Sequence, residues 1–322
     1  MRAISISKYG ELLKVKNIPL PNLKPDDLLI KVKYAPINPA DIYFSYGVYG
    51  IKPALPVTLG MEGSGTVVDS IKYKELIGQR VAFLVKNEAI GSFAEFSISS
   101  KYNIIPLRAE DYFENHSCLF VNPFTVLGFN HIVLTEEHKA VIQTASNSAL
   151  CRMFRKLLKR QGIKSINIVR KEEQINSIKE EGGDFVLNSE STNFDKNLKE
   201  AIDETQATCF FDAVGGKLAS KIFTLMPKKS VCYSYGALSH GPIGEIEAHN
   251  FVFQQKTLKG FWLKNWLKSQ KEEVLDTMKK EILENEIFKT KIAKIHKLEK
   301  IAVALKEYRN NMSNGKILLD ME

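Results

Sequence analysis

The chain has 322 residues, 44% of them hydrophobic and 25% charged. That composition supports full cores and excludes a disordered chain, and the length admits two domains. Lysine and arginine number 45 against 37 aspartates and glutamates, a formal net charge of +8. This balance suits an anionic cofactor or nucleic acid, and equally a soluble enzyme with lysine-rich helix faces, which is the preferred reading.

No run approaches about 18 apolar residues, so no membrane span is expected. The chain opens almost at once on a strand-like run, Arg2–Ser7, without an apolar signal core or an Arg/Ser-rich presequence. A cytoplasmic protein is therefore expected, with the mitochondrial matrix as the alternative if a presequence has been removed. Cys118, Cys151, Cys209 and Cys232 are far apart, so they read as small buried hydrophobes rather than a zinc lobe or a redox pair. The six histidines also lack metal-ligand spacing, and no metal is expected.

Residues 1–115 carry short β-like runs, Leu28–Tyr34, Gly63–Val68, Arg80–Val85 and Phe93–Ser97, punctuated by Pro and Gly. A compact, mainly-β domain is expected there. From about residue 120 strands and helices alternate. Ala140–Gln143 reads as a strand, Ser148–Gln161 as a helix with Leu150, Phe154, Leu157 and Leu158 on one face, and Ser165–Val169 as a strand. The cations of that helix, Arg152, Arg155, Lys156, Lys159 and Arg160, read as a solvated face. A helix over Glu172–Glu181 follows, then strands at Phe185–Leu187, Cys209–Ala213 and Ser230–Tyr235. The alternation implies a parallel sheet with right-handed crossovers. Ser269 followed by Glu272 reads as a capping pair opening a helix lined by Val274, Met278 and Ile282. A last helix, Leu298–Tyr308, precedes a final strand, Lys316–Leu319.

The stretch Val141–Arg170 carries the most information. It reads as a buried strand, a tight turn of small residues, a helix and a second buried strand, the first half of a dinucleotide-binding unit. Glycines usually let the backbone approach the pyrophosphate, but this turn, Thr144–Cys151, has none; Ala145, Ser146, Ser148 and Ala149 are small enough to serve in part. The second strand ends on Arg170 and Lys171 rather than on an acid. Cations there suit a 2′-phosphate, so NADP(H) is expected as cofactor.

The chain resembles the medium-chain dehydrogenase/reductase superfamily over essentially its whole length. The resemblance rests on Ile37-Asn38-Pro39-Ala40-Asp41-Ile42, Leu59-Gly60-Met61-Glu62-Gly63, Val121-Asn122-Pro123-Phe124-Thr125, the turn above, Phe211–Gly216, Gly260-Phe261-Trp262-Leu263 and Gly315-Lys316-Ile317-Leu318-Leu319. It implies an α/β protein with a GroES-like, mainly-β catalytic domain and a Rossmann doubly wound parallel sheet. The expected division is residues 1–118 with 266–322, and 119–265. Zinc enzymes of the superfamily use a Cys in the first segment and a His in the second. Here those segments offer Pro39, Ala40 and Met61, which cannot hold catalytic zinc as thiolate and imidazole do.

The resemblance therefore points to the zinc-independent branch of quinone oxidoreductases and enoyl-thioester reductases. Tyr46-Gly47-Val48-Tyr49-Gly50 leans towards the latter, with Tyr49 at the position of their catalytic tyrosine. It implies cofactor contacts at Asn122, at Ser148, Ala149, Leu150 and Cys151, at Arg170 and Lys171, at Tyr235, Gly236, Ala237 and Leu238, at Phe261, Trp262 and Leu263, and at Lys316. Cys151 stands where relatives commonly have glycine and reads as a small packing residue. Asp212 and Glu62 are read as structural, not as an acid–base pair.

The expected activity is NADPH-dependent reduction of a trans-2-enoyl thioester carried on CoA or acyl carrier protein. The alternatives are a quinone oxidoreductase, or a non-catalytic RNA-binding or assembly subunit on the same fold. Lys52, Lys72, Lys74 and Lys264 are candidate guides for an acidic carrier, and equally plain surface lysines. A homodimer is expected, with edge strands near Ser230–Ser239 as the pairing element.

Overall fold

The computed structural model describes residues 1–322 except Glu88. Its contacts divide the chain into two compact units, Met1–Phe124 with Glu272–Glu322, and Thr125–Lys271. Both boundaries lie six residues later than expected.

In the first unit, strand Leu28–Pro36 is the hub. It pairs antiparallel with Glu62–Ser70, Phe96–Ser99 and Lys316–Asp320. Its alternation puts Leu28, Ile30 and Val32 into the core and Lys31 into solvent. Gly65 lets the neighbouring strand lie close, because a Cβ there would meet the Lys31 carbonyl oxygen at 2.2 Å. The seven-stranded sheet continues through Arg80–Leu84 to Ile104–Pro106 on one side, and to Ile292–Lys297, parallel to Lys316–Asp320, on the other. The final strand thus returns into a sheet built mostly from the first hundred residues.

Beneath helix Pro39–Ser45 lies a buried polar cluster. Asn38 donates its backbone N–H to Asp41 (2.7 Å) and its side-chain amide to Glu62 (2.9 Å). The other Glu62 oxygen accepts the backbone N–H groups of Phe120 and Val121, both at 3.0 Å. Glu62 therefore caps helix Val121–Thr135 at the end where the helix dipole favours a carboxylate. Lys316 donates to the Ile37 carbonyl (3.2 Å) and, by a short bond, to Asn38 Oδ1. Burial pushes the Glu62 carboxyl above the ordinary range, against the pull of Lys316 and these donors. It pushes Asp41 to about 7, against the Asn38 amide and Lys316.

The second unit is a six-stranded parallel sheet. Its order is Phe185–Asn188, Lys164–Val169, Ala140–Gln143, Cys209–Asp212, Val231–Ser234 and Thr257–Gly260. Numbered along the chain that is 3-2-1-4-5-6, with the switch point between Ala140–Gln143 and Cys209–Asp212. An aromatic cluster packs one face. Phe129 stacks on Phe211 at 4.2 Å and meets Tyr235, Phe261 and Phe154 edge-on at 4.8, 4.9 and 5.5 Å. Gly128 makes room for it, since a Cβ there would meet the Phe261 ring at 2.6 Å.

Three expectations are corrected. Val231–Ser234 is flanked on both sides, so the sheet edge is Thr257–Gly260, not the Ser230–Ser239 region. Ser269 closes the helix Leu263–Ser269 by donating to the Trp266 carbonyl (2.7 Å), and so does not open the helix Glu272–Glu284. The stretch Phe113–Thr135 contains an 18-residue window of mean hydropathy 1.4, long and apolar enough to cross a membrane by length and composition; 67% of that window is buried within the protein, as in a core helix.

Two outcomes are expected. Phe129→Ala removes the hub of the aromatic cluster and should cost about 3–5 kcal/mol in urea unfolding. For Asp41, folding raises the pKa from 3.8 to about 7, so the folded state holds a proton that the unfolded chain has released. Its contribution is present below the unfolded value and is lost as pH rises towards 7. Asp41→Asn should therefore stabilise the protein more at about pH 8 than at about pH 5; equal effects at both would mean that the carboxyl is ionised throughout.

Candidate active site

The turn after strand Ala140–Gln143 is built without glycine. Ala145 takes up the left-handed conformation itself, at φ 51°. For a non-glycine residue that costs about 1–2 kcal/mol. Thr144 N–H donates to the Phe211 carbonyl (3.2 Å), Ser146 N–H to Ile168 (3.1 Å) and Ser148 N–H to Ala145 (2.9 Å). Ser148 is the N-cap of helix Ala149–Arg160, and its hydroxyl accepts from Cys151 N–H at 3.3 Å. The amides of Asn147, Ala149 and Leu150 find no acceptor among the described residues. A helix N-terminus with spare amides suits an anion such as a pyrophosphate.

Cys151 is buried. Its thiol donates to the Thr144 carbonyl (3.4 Å) and lies 3.5 Å from the Tyr235 hydroxyl. Burial raises its pKa, so it stays a neutral packing group. Arg170 is exposed just beyond strand Lys164–Val169 and has no partner among the described residues. Lys171, also exposed, pairs with Glu173 at 3.3 Å. Of these two cations, Arg170 is the one without a partner among the described residues.

On the other side of the switch point Asp212 is fully buried. It accepts from the Thr144 hydroxyl (2.7 Å) and from the amides of Val214 (3.0 Å) and Gly215 (2.8 Å). Burial raises its pKa, but every contact it makes is structural. The Tyr235–Leu238 segment is laced to the same turn: Tyr235 N–H donates to Asp212 (2.9 Å) and Leu238 N–H to Ala213 (3.0 Å). Gly236 is required there, because a Cβ would meet the Ala213 carbonyl oxygen at 2.7 Å. Phe261 N–H donates to Ser234 (2.8 Å) while its ring turns into the aromatic cluster; Trp262 is the N-cap of the helix that starts at Leu263. Ser148–Cys151, Tyr235–Leu238 and Phe261–Leu263 all follow the carboxyl ends of the parallel strands, where ligands of such sheets bind.

The remaining candidates belong to the first unit. Asn122, 8% exposed, is the second residue of the helix capped by Glu62. Tyr49 is half-buried, its ring edge-on to Phe44 at 6.2 Å. Lys316 departs from expectation. It is 4% exposed and its ammonium is held by Ile37 and Asn38, which makes it an internal ion of the polar cluster. Pro39, Ala40 and Met61 occupy the positions where zinc relatives carry ligands, and among the described residues no group of three or more His, Cys, Asp or Glu side chains is placed to hold a metal ion.

The solvated basic face is also corrected. Arg155 is fully buried, and both it and Arg152 pair with Glu181. The helical spacing Cys151, Phe154, Arg155, Leu158 carried that signal, since it puts Arg155 on the apolar stripe. The Asn147 amide and Glu181 were not visible as site residues.

Two family models match the chain: the alcohol dehydrogenase GroES-like domain over residues 24–109, and the zinc-binding dehydrogenase domain over residues 150–280. A mitochondrial enoyl-[acyl-carrier-protein] reductase of Dictyostelium discoideum is 28% identical over 342 aligned positions, covering 100% of this chain and 95% of that protein. A Mesorhizobium loti protein assigned as an NADPH:quinone reductase is 31% identical, with a TM-score of 0.90 over 99% of this chain and 98% of that one. Etr1p, a 2-enoyl thioester reductase of Candida tropicalis solved with NADP and crotonyl-CoA, is 22% identical with a TM-score of 0.79 over 99% of both chains, a likeness of fold. With a 3-2-1-4-5-6 sheet, a discontinuous β-rich unit and full-length similarity to these reductases, the chain belongs to the medium-chain dehydrogenase/reductase superfamily.

Proposed function

We propose that the protein is an NADPH-dependent, zinc-independent reductase of a trans-2-enoyl thioester on CoA or acyl carrier protein. The observation that carries the cofactor choice is Arg170, exposed at the end of the second Rossmann strand and without a partner among the described residues. A guanidinium there matches a 2′-phosphate in a charge-assisted, bidentate manner. The names of the Dictyostelium and Candida proteins support the thioester. The amides of Asn147, Ala149 and Leu150 would hold the pyrophosphate, and the Tyr235–Leu238 segment would border the nicotinamide.

NADPH, when bound, supplies a hydride to the β-carbon of the conjugated carbonyl. The chain's own task is to hold the acceptor and to answer the charge that develops on its oxygen. The Tyr49 phenol would donate a hydrogen bond to that oxygen, or its proton to the α-carbon. A phenol suits this because it is uncharged at neutral pH and holds its proton until the acceptor becomes basic.

The Mesorhizobium protein favours a quinone as the second reading. Nucleic-acid binding loses support, because two of the five helix cations are spent on Glu181. The relatives named as mitochondrial favour the mitochondrion, the alternative compartment. A homodimer would use the edge strand Thr257–Gly260, beside the exposed Phe251, Val252 and Phe253.

The test is NADPH oxidation with crotonyl-CoA and, in parallel, with phenanthrenequinone, each with and without a chelator. Turnover of the thioester, unchanged by chelation, is expected; turnover of the quinone alone would establish the second reading. Tyr49→Phe should lower kcat by about 100-fold with NADPH affinity unchanged, since it removes one donor and no bulk. Unaltered turnover would remove the tyrosine from the mechanism. Arg170→Ala should raise the KM for NADPH about 10- to 100-fold and leave that for NADH near its starting value.

A further inference from the structure

One carboxylate, Glu181, grips two arginines that reach the same turn. Arg152 Nη1 lies 2.8 Å from Glu181 Oε1, and Arg155 Nη2 makes a short ion pair with Oε2. Arg155 Nη1 donates to the Ser146 carbonyl at 3.0 Å and to Asn167 Oδ1 at 3.4 Å. Arg152 donates to the Asn147 carbonyl at 3.3 Å and to Asn147 Oδ1 at 2.6 Å. Gln143 donates to the same Asn167 oxygen at 2.7 Å. Two successive carbonyls of the turn are therefore held by guanidinium groups.

In a trans peptide the C=O and the following N–H point in opposite directions. Holding the Ser146 carbonyl towards Arg155 aims the Asn147 N–H the other way, and that amide has no acceptor among the described residues. The turn lacks glycine and holds Ala145 at positive φ, so the backbone alone does not favour this shape. A fully buried arginine on an apolar helix stripe is expensive unless its charge is paired, and Glu181 supplies the pairing.

We propose that Glu181, Arg155 and Arg152 are positioning residues that hold the glycine-free turn in the shape that presents its amides to the cofactor pyrophosphate. This rests on the dinucleotide reading above. By charge alone, removing a carboxylate near a polyanion tightens its binding. Loss of the clamp weakens it, so the two effects have opposite signs in Glu181→Gln.

The experiment compares the affinity of wild type and Glu181→Gln for NADPH and for adenosine 2′-monophosphate by fluorescence titration. The second probe keeps the 2′-phosphate and has no phosphate at the 5′ position, where the pyrophosphate begins. The NADPH Kd is expected to rise about tenfold in Glu181→Gln, with the monophosphate Kd unchanged. Tighter or unchanged NADPH binding, or equal weakening of both probes, would overturn the proposal. Wild type that binds the monophosphate but not NADPH would also overturn it, and wild type that binds neither would remove the dinucleotide reading itself. Arg152→Lys, which keeps the positive charge and loses the forked contact to Asn147 and Glu181, provides the same comparison if Glu181→Gln does not fold: selective loss of NADPH supports the clamp, and unchanged binding or equal loss rejects it.

Discussion

The hydrogen bond from the Thr144 hydroxyl to Asp212 joins the two turns on either side of the switch point. Thr144 ends the first strand's run, and Asp212 ends the fourth. Asp212 also takes the amides of Val214 and Gly215, and Thr144 Oγ1 accepts the Ala213 amide at 2.9 Å. At this point neighbouring strands send their crossovers in opposite directions, which opens a crevice of the kind where ligands of such sheets bind. Buried backbone groups beside such a crevice need partners, and this side-chain pair supplies them. The Tyr235–Leu238 segment and the turn Thr144–Ser148 both take their positions from it.

The first unit solves a similar problem with charge. Asn38, Asp41, Glu62 and Lys316 are all buried. Two carboxyls and one ammonium out of water would be costly if isolated. Here Asn38 links them, and Glu62 spends one oxygen on two amides at a helix start. The cluster joins the C-terminal strand, the first helix and the start of helix Val121–Thr135. It thereby places Asn122, while Lys316 is absorbed into the support. A buried cation that looks like a ligand contact in the sequence can be part of the frame.

Much of the fold was legible in the amino acids. The strands Ala140–Gln143 and Lys164–Val169 and the helix between them were readable because a parallel strand is apolar throughout and the helix has an apolar stripe. Helix Val121–Thr135 was not, because it is apolar almost all round and shows no stripe. Strand Thr257–Gly260 was missed for the opposite reason: it is short and largely exposed, with a lysine in it. Among the candidate residues, the exposure of Arg170 followed from its place after a strand, and the burial of Cys151 from its place on the apolar stripe of a helix.

By itself the sequence determined the order of elements, the glycine-free turn, the cation at the second strand's end and the absence of zinc ligands at Pro39, Ala40 and Met61. These are local facts, set by residue type and spacing along the chain. Tertiary structure decided what long-range partners decide. It chose which amides of the turn stay without acceptors among the described residues, drew Arg152 and Arg155 onto Glu181, and committed Lys316 to Asn38. A charged side chain can face solvent, a ligand or an internal partner, and only the distant residue that folding brings to it settles which.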